Sequence, residues 1–203
     1  MQDIKNIKII IGLGNPGKKY GNTYHNAGIL FIDYLINKIS AKIKNPAPTG
    51  RGSPNNIGRQ KSKVKSFEFV KFNSLILVNP LTFMNESGKA VLAAIKYFSS
   101  KKEKIKPEEI LIIHDDSDIE LGNYKISFAR GSAGHKGVDS IIKSLKTKNF
   151  WRLRIGIRLP KKVTSYKLQV TRTKAEDLVL KKIKKDDWIT LQKVYETIQI
   201  QLR

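Results

Sequence analysis

Three histidines, no cysteine and a run of carboxylates set the reactive chemistry open to this 203-residue chain. The histidines are His25, His114 and His135, and Asp115, Asp116 and Asp118 follow directly on the second. Absence of cysteine excludes thiolate nucleophiles, disulfides and Cys-based zinc sites. An imidazole titrates near ~6.5, so it can take up a proton and return it at working pH. Hydrolysis in such a chain is run most economically by water and a general base. The aspartates also admit two plainer readings, a solvated turn and a divalent-cation cluster.

A second candidate is the segment IIIGLGNPGKKYGNTYHNAG, residues 9–28, where an apolar strand runs into glycines. Gly12, Gly14 and Gly17 match G-x-G-x-x-G, and Gly12, Gly17 and Lys18 match most of G-x-x-x-x-G-K. A dinucleotide site needs the helix to start inside the glycines, so that free N–H groups meet the pyrophosphate. Pro16 removes one N–H, Gly21 and Asn22 delay the helix to about Thr23, and Asp33 falls within the helical stripe rather than after a strand. Lys19 stands where a Ser or Thr hydroxyl would bind Mg²⁺. Both nucleotide readings fail. What remains is a turn holding Asn15 at the carboxyl end of the strand, with His25 at a helix start.

The 39 Lys and Arg against 17 Asp and Glu give a formal net charge of +22. A field of that sign concentrates polyanions, of which phosphate backbones are the most obvious. Lysine-rich composition typical of an AT-rich genome explains part of the excess. No apolar run reaches the ~18–20 residues of a membrane span. The first eight residues lack the apolar core of a secretory signal, so the expected compartment is the cytoplasm.

Around these candidates the periodicity predicts one domain of interleaved strands and helices. Ile7–Ile11, Ile110–His114, Tyr124–Phe128 and Trp151–Ile157 read as strands, and Val64–Phe72 with Leu75–Asn79 as a hairpin. Ala27–Ile39, Asn85–Phe98 and Val138–Leu145 carry apolar residues at helical spacing, as does the chain from about Lys174. Segment 45–63 is rich in Pro, Gly, Asn and basic residues, and reads as a mobile basic loop. The expected fold class is α/β, a single three-layer α/β/α domain over residues 1–203 with a twisted mixed central sheet. PLTFMNESGKAV (80–91) and HDDSDIELG (114–122) each read as a strand running out into a loop, where open α/β sheets form sites. GSAGHKG (131–137) precedes a helix N-terminus.

These segments, in this order, resemble the bacterial peptidyl-tRNA hydrolase family. Its patterns G-L-x-N-P-G-x-x-Y, R-H-N-x-G, T-F-M-N-x-S-G, H-D-E-x-D and G-H-N-G stand here as Gly12–Tyr20, Tyr24–Gly28, Thr82–Gly88, His114–Asp118 and Gly134–Gly137. The likeness covers about residues 7 to 160. It implies hydrolysis of the ester joining a peptide to the 3′ end of tRNA, with His25 as base, Asp115 as its orienting carboxylate and Asn15 holding the substrate. Tyr20, Phe83, Asn85, His135 and the residue at 136 would meet the acceptor end, and Arg154 the tRNA backbone. With His25 as base no Lewis acid is needed, so no metal or cofactor is expected, and the expected state is a monomer. Asn85 has a competing reading as the cap of the following helix, a task Ser87 could also perform. In WRLRIGI the alternation puts Arg152 and Arg154 together on the face opposite the core residues.

The chain departs from the family at several of these places. Lys136 replaces the Asn of G-H-N-G, Tyr24 replaces the Arg before His25, and Asp116 replaces the Glu of H-D-E. Ser127 stands where a tRNA-binding Lys is common, with Lys125 and Arg130 nearby. The tail after Ile157 matches poorly. A non-catalytic RNA-binding relative of the same fold is therefore the alternative expectation.

Overall fold

The computed structural model describes residues 6–44, 62–159 and 175–201. All of the basic loop except residues 62 and 63 lies outside the described residues.

Strand β1 (Ile9–Gly12) is a wholly buried run of Ile and Gly, as required of a strand covered on both faces. Helix α1 (Ala27–Lys44) follows, then three antiparallel strands: β2 (Ser62–Val64), β3 (Phe67–Phe72) and β4 (Leu75–Pro80). The rest of the chain supplies α2 (Ser87–Phe98), β5 (Ile110–Glu120), β6 (Tyr124–Phe128), α3 (Lys136–Leu145), β7 (Trp151–Arg158), α4 (Ala175–Val179) and α5 (Lys185–Gln201). The seven strands form one sheet in the order β2-β3-β4-β1-β5-β7-β6. Its centre, β4-β1-β5-β7, is parallel, and β6 closes the far edge antiparallel to β7.

Alternation along β1 sends Ile10 to one face and Ile9 and Ile11 to the other. On the first face Phe31, Ile32 and Leu35 of α1 join Leu191, Val194 and Tyr195 of α5. On the second, Val91 and Ala94 of α2 join Val138 and Ile141 of α3. Each buried Val, Leu, Ile or Phe among them contributes about 1.5–3 kcal/mol by leaving water. The result is the three-layer α/β/α domain the periodicity predicts. Among the described residues no helix is long and apolar enough to cross a membrane.

Several boundaries differ from the sequence expectation. The hairpin's first strand is split, because Lys65 and Ser66 turn the chain between β2 and β3. Helices α1 and α2 each begin after a 3-10 turn, Tyr24–Asn26 and Met84–Glu86, rather than directly. The largest difference is β5, which continues through His114–Asp118 to Glu120 instead of ending at His114. It stays paired with β7 from Leu111↔Trp151 to Asp116↔Gly156, and meets it again at Glu120↔Arg158 after a register shift. Gly156 permits this: a Cβ there would stand 2.2 Å from the Glu120 carbonyl oxygen. Polar, turn-like composition concealed a strand held by a distant glycine.

Candidate active site

Two glycines of the opening segment, Gly12 and Gly28, serve backbone packing. A Cβ on Gly28 would lie 2.3 Å from the Ile113 carbonyl oxygen, and one on Gly12 would lie 2.3 Å from that of Gly28. Without side chains, the first turn of α1 sits directly on β1 and β5. The Leu13 N–H donates to Ile113 at 2.8 Å, and the Ile29 N–H to Leu13 at 3.2 Å. This close approach carries the Tyr24–Asn26 turn, and with it His25, over β5.

There His25 Nδ1 meets Asp115 Oδ1 at 2.8 Å. The same oxygen accepts from His135 Nε2 at 3.0 Å. Asp115 is 2% exposed, His25 12% and His135 10%. Burial opposes ionisation of Asp115, but the field and hydrogen bonds of His25 and His135 outweigh it and hold the carboxyl well below its usual range. An ionised Asp115 only accepts, so both nitrogens facing it carry protons. The Nδ1 of His135 caps α3, accepting from the Val138 N–H at 3.3 Å. His135 therefore has both ring nitrogens engaged, Nε2 with Asp115 and Nδ1 with the Val138 amide. His25 Nε2 has no partner among the described residues, so its lone pair is available.

His114, the remaining histidine, is buried behind this pair. Its Nδ1–H donates to the Asp115 carbonyl oxygen at 2.7 Å, and its ring stands 4.6 Å from that of His135. Its Nε2 is buried without a partner among the described residues. Burial, then the neighbouring His135, push it well below the ordinary value for histidine. It is a neutral packing group.

Asn15 lies beside this cluster, buried, and its Oδ1 accepts from the Met84 N–H at 2.8 Å. That bond fixes the amide's orientation and leaves Nδ2 as the free donor. Asn26 holds the loop from behind: its Oδ1 accepts from the Asn15 N–H at 2.8 Å, and its Nδ2 donates to the Asn15 carbonyl at 3.0 Å. Asn26 is the residue the sequence analysis missed, although it sits next to His25 within the quoted motif.

The Met84 contact also brings Phe83 and Asn85 to this rim. Phe83 is 50% exposed and meets Tyr20 edge to face at 6.3 Å between centroids. Asn85 is exposed, lies inside the 3-10 turn, and makes no hydrogen bond among the described residues. It is no helix cap, and neither is Ser87, whose hydroxyl donates back to the Met84 carbonyl at 2.7 Å. Lys136 is exposed at the first position of α3.

The two arginines of β7 do not form an open pair. Arg152 is 2% exposed, with Nε buried and unpartnered among the described residues, because β6 pairs alongside and sets Ser127 opposite it. Burial, and then Arg154, push its guanidinium down to about 10. Arg154 Nε binds Asp116 Oδ2 at 2.7 Å. Beside it a basin of about 500 Å³ is lined by Lys125, Ile126, Ser127, Phe128, Arg130 and Arg154.

His25, Asp115 and His135 also place three potential metal-ligand atoms within 4.8 Å of one another. The contacts between them have hydrogen-bond lengths, and a cation taking His135 Nε2 would have to displace its proton and the Val138 cap. The set fits a proton-transfer group better than a metal centre.

A family model described as peptidyl-tRNA hydrolase matches residues 9–203. Curated peptidyl-tRNA hydrolases are similar over most of their length. One from Hydrogenobaculum is 38% identical over 197 residues, 95% of this chain and 94% of its own. One from Aquifex aeolicus is 37% identical over 182 residues, 88% and 85% of the two chains. The crystal structure of peptidyl-tRNA hydrolase from Acinetobacter baumannii superposes with a TM-score of 0.68 at 29% identity, covering 97% of this chain and 86% of that one. With the fold, the ordered motifs and these relatives in agreement, the chain belongs to the peptidyl-tRNA hydrolase family.

Proposed function

We propose that this chain hydrolyses the ester between a peptide, or an N-blocked amino acid, and the 3′ end of tRNA, releasing free tRNA. The observation that carries the reading is the 2.8 Å contact of His25 Nδ1 with the buried Asp115 carboxylate, which leaves Nε2 as the available base. Water gives a proton to His25 Nε2 as its oxygen attacks the ester carbonyl carbon. Asp115 keeps the imidazole in the productive tautomer and stabilises its charged form. The tetrahedral oxyanion accepts from Asn15 Nδ2, whose orientation is set by the Met84 amide. Collapse breaks the bond to the ribose oxygen, which takes the proton back from His25. His135, with both ring nitrogens engaged, steadies Asp115 from the other side.

In this reading Tyr20, Phe83, Asn85 and Lys136 surround the acceptor end, and Arg130 and Arg154 meet phosphates further along. The +22 charge supports a polyanionic substrate. No step in this reading calls for a metal or cofactor, and the reading is of a monomer working in the cytoplasm, where translation supplies the substrate. A non-catalytic RNA-binding protein would have no use for an intact base and orienting carboxylate.

The test is release of tRNA from N-blocked aminoacyl-tRNA. Turnover by the wild type and its loss by ~10²–10⁴-fold in His25→Ala is the expected result. Tight RNA binding without turnover would overturn the reading.

A further inference from the structure

The C-terminal part of the chain grips the turn that carries His25. The Tyr24 N–H donates to the Lys181 carbonyl at 3.3 Å, and the Ile183 N–H to the Asn22 carbonyl at 3.0 Å. Between them Thr23 and Lys182 form an antiparallel bridge. Helix α5 then reaches both sides of His25 with hydrogen bonds from phenols. The Tyr24 hydroxyl donates to Asp187 Oδ2 at 2.5 Å, and the Tyr195 hydroxyl to the Ala27 carbonyl at 3.0 Å.

Tyr24 is 1% exposed, whereas Asp187 is only partly buried. A phenylalanine would fill the same volume without bringing a hydroxyl and a carboxylate together, so packing does not explain the hydroxyl. What it adds is direction: a charge-assisted bond tying the residue before His25 to a fixed point on α5. Among the described residues His25 makes one side-chain hydrogen bond, to Asp115. Its reach to water and ester is set by where the Tyr24–Asn26 turn stands, and a shift of ~1 Å at a reacting group can cost ~10²-fold.

We propose that Tyr24 and Asp187 form a positioning pair through which α5 holds His25 in register with Asp115. The proposal rests on His25 being the base. It adds a requirement on the C-terminal helix, outside the matched motifs.

The test uses the full chain and N-blocked aminoacyl-tRNA, with kcat and KM measured well below each variant's melting midpoint. Tyr24→Phe and Asp187→Ala are each expected to lower kcat about tenfold with KM within about twofold, and the double variant no further than either single change. Tyr24→Arg, which offers another donor to the same carboxylate, restores most of kcat, but not when Asp187→Ala is present. Wild-type kcat in Tyr24→Phe, additive losses, or failure of Tyr24→Arg to recover would overturn the pair. His25→Ala run in parallel separates the two claims: unimpaired activity there defeats the assignment of the base itself.

Discussion

At Asp115 two imidazole protons meet on one oxygen, at 2.8 Å from His25 and 3.0 Å from His135. An amide at this position would still accept but would carry no charge for the imidazolium that forms. Asp115→Asn is therefore expected to lower kcat by ~10²–10⁴-fold with little change in KM, and a purely raised KM would contradict the role. Asn15→Asp tests the oxyanion donor. It keeps the acceptor for the Met84 amide but puts an acceptor where Nδ2 stood, so the fold survives while kcat falls by ~10²–10³-fold. His114 makes the opposite kind of prediction, about stability. Burial holds its imidazole below the ordinary 6.5. The unfolded chain therefore takes up a proton near that value while the folded one does not. Stability drops as pH falls below it, by up to about 1.4 kcal/mol per pH unit, until the folded group itself titrates. Asp115 does not share this window, because a depressed carboxyl loses its contribution only below the ordinary carboxylate range. Melting at about pH 7.5 and 5.5 checks the assignment: His114→Asn, which retains a donor for the Asp115 carbonyl, loses less on acidification than the wild type. Equal losses would contradict it. Of these residues, His25, Asp115 and Asn15 were legible because their motifs stand in order. The link from His135 to Asp115 was not, since 20 residues of chain separate them and only the folded loop joins them.

At the scale of elements, the end of β5 decides where Asp115 stands, and Gly156 decides where β5 runs. A methyl group 2.2 Å from the Glu120 carbonyl oxygen must push the strands apart. Gly156→Ala is expected to cost about 1–3 kcal/mol by overpacking, a fall in melting temperature of about 2–4 °C per kcal/mol. It also weakens activity, because Asp116 pairs with Gly156 and Asp115 with Ile155. A melt unchanged by the substitution would contradict the packing account. The core strands and the three main helices could be read from periodicity, since burial on one or both faces writes itself into residue spacing. The extension of β5 could not. Its residues are polar, and what holds them is pairing with a strand 40 positions away (Asp116↔Gly156). Helix α5 shows the same limit: its apolar spacing is visible, but its grip on Tyr24 and Ala27 is a tertiary fact.

At the scale of the whole molecule, the chain carries a surplus of 22 positive charges, and the proposed chemistry rests on one imidazole and one carboxylate. Substrate capture is therefore expected to weaken steeply with salt. If Arg154 neutralises one phosphate, Arg154→Ala reduces the slope of log affinity against log salt by about 0.7–0.9. An unchanged slope would remove Arg154 from the tRNA contact. Binding and chemistry are expected to be separable, because Lys125, Arg130 and Arg154 line a basin at β6 and β7 while His25 stands in the turn before α1. Single-turnover release of tRNA from N-blocked aminoacyl-tRNA by His25→Ala, with tRNA affinity measured alongside and imidazole added to the buffer, probes the central claim. The prediction is wild-type affinity, release slowed by ~10²–10⁴-fold, and partial recovery that rises with imidazole concentration. Release at the wild-type rate without added imidazole would contradict the account.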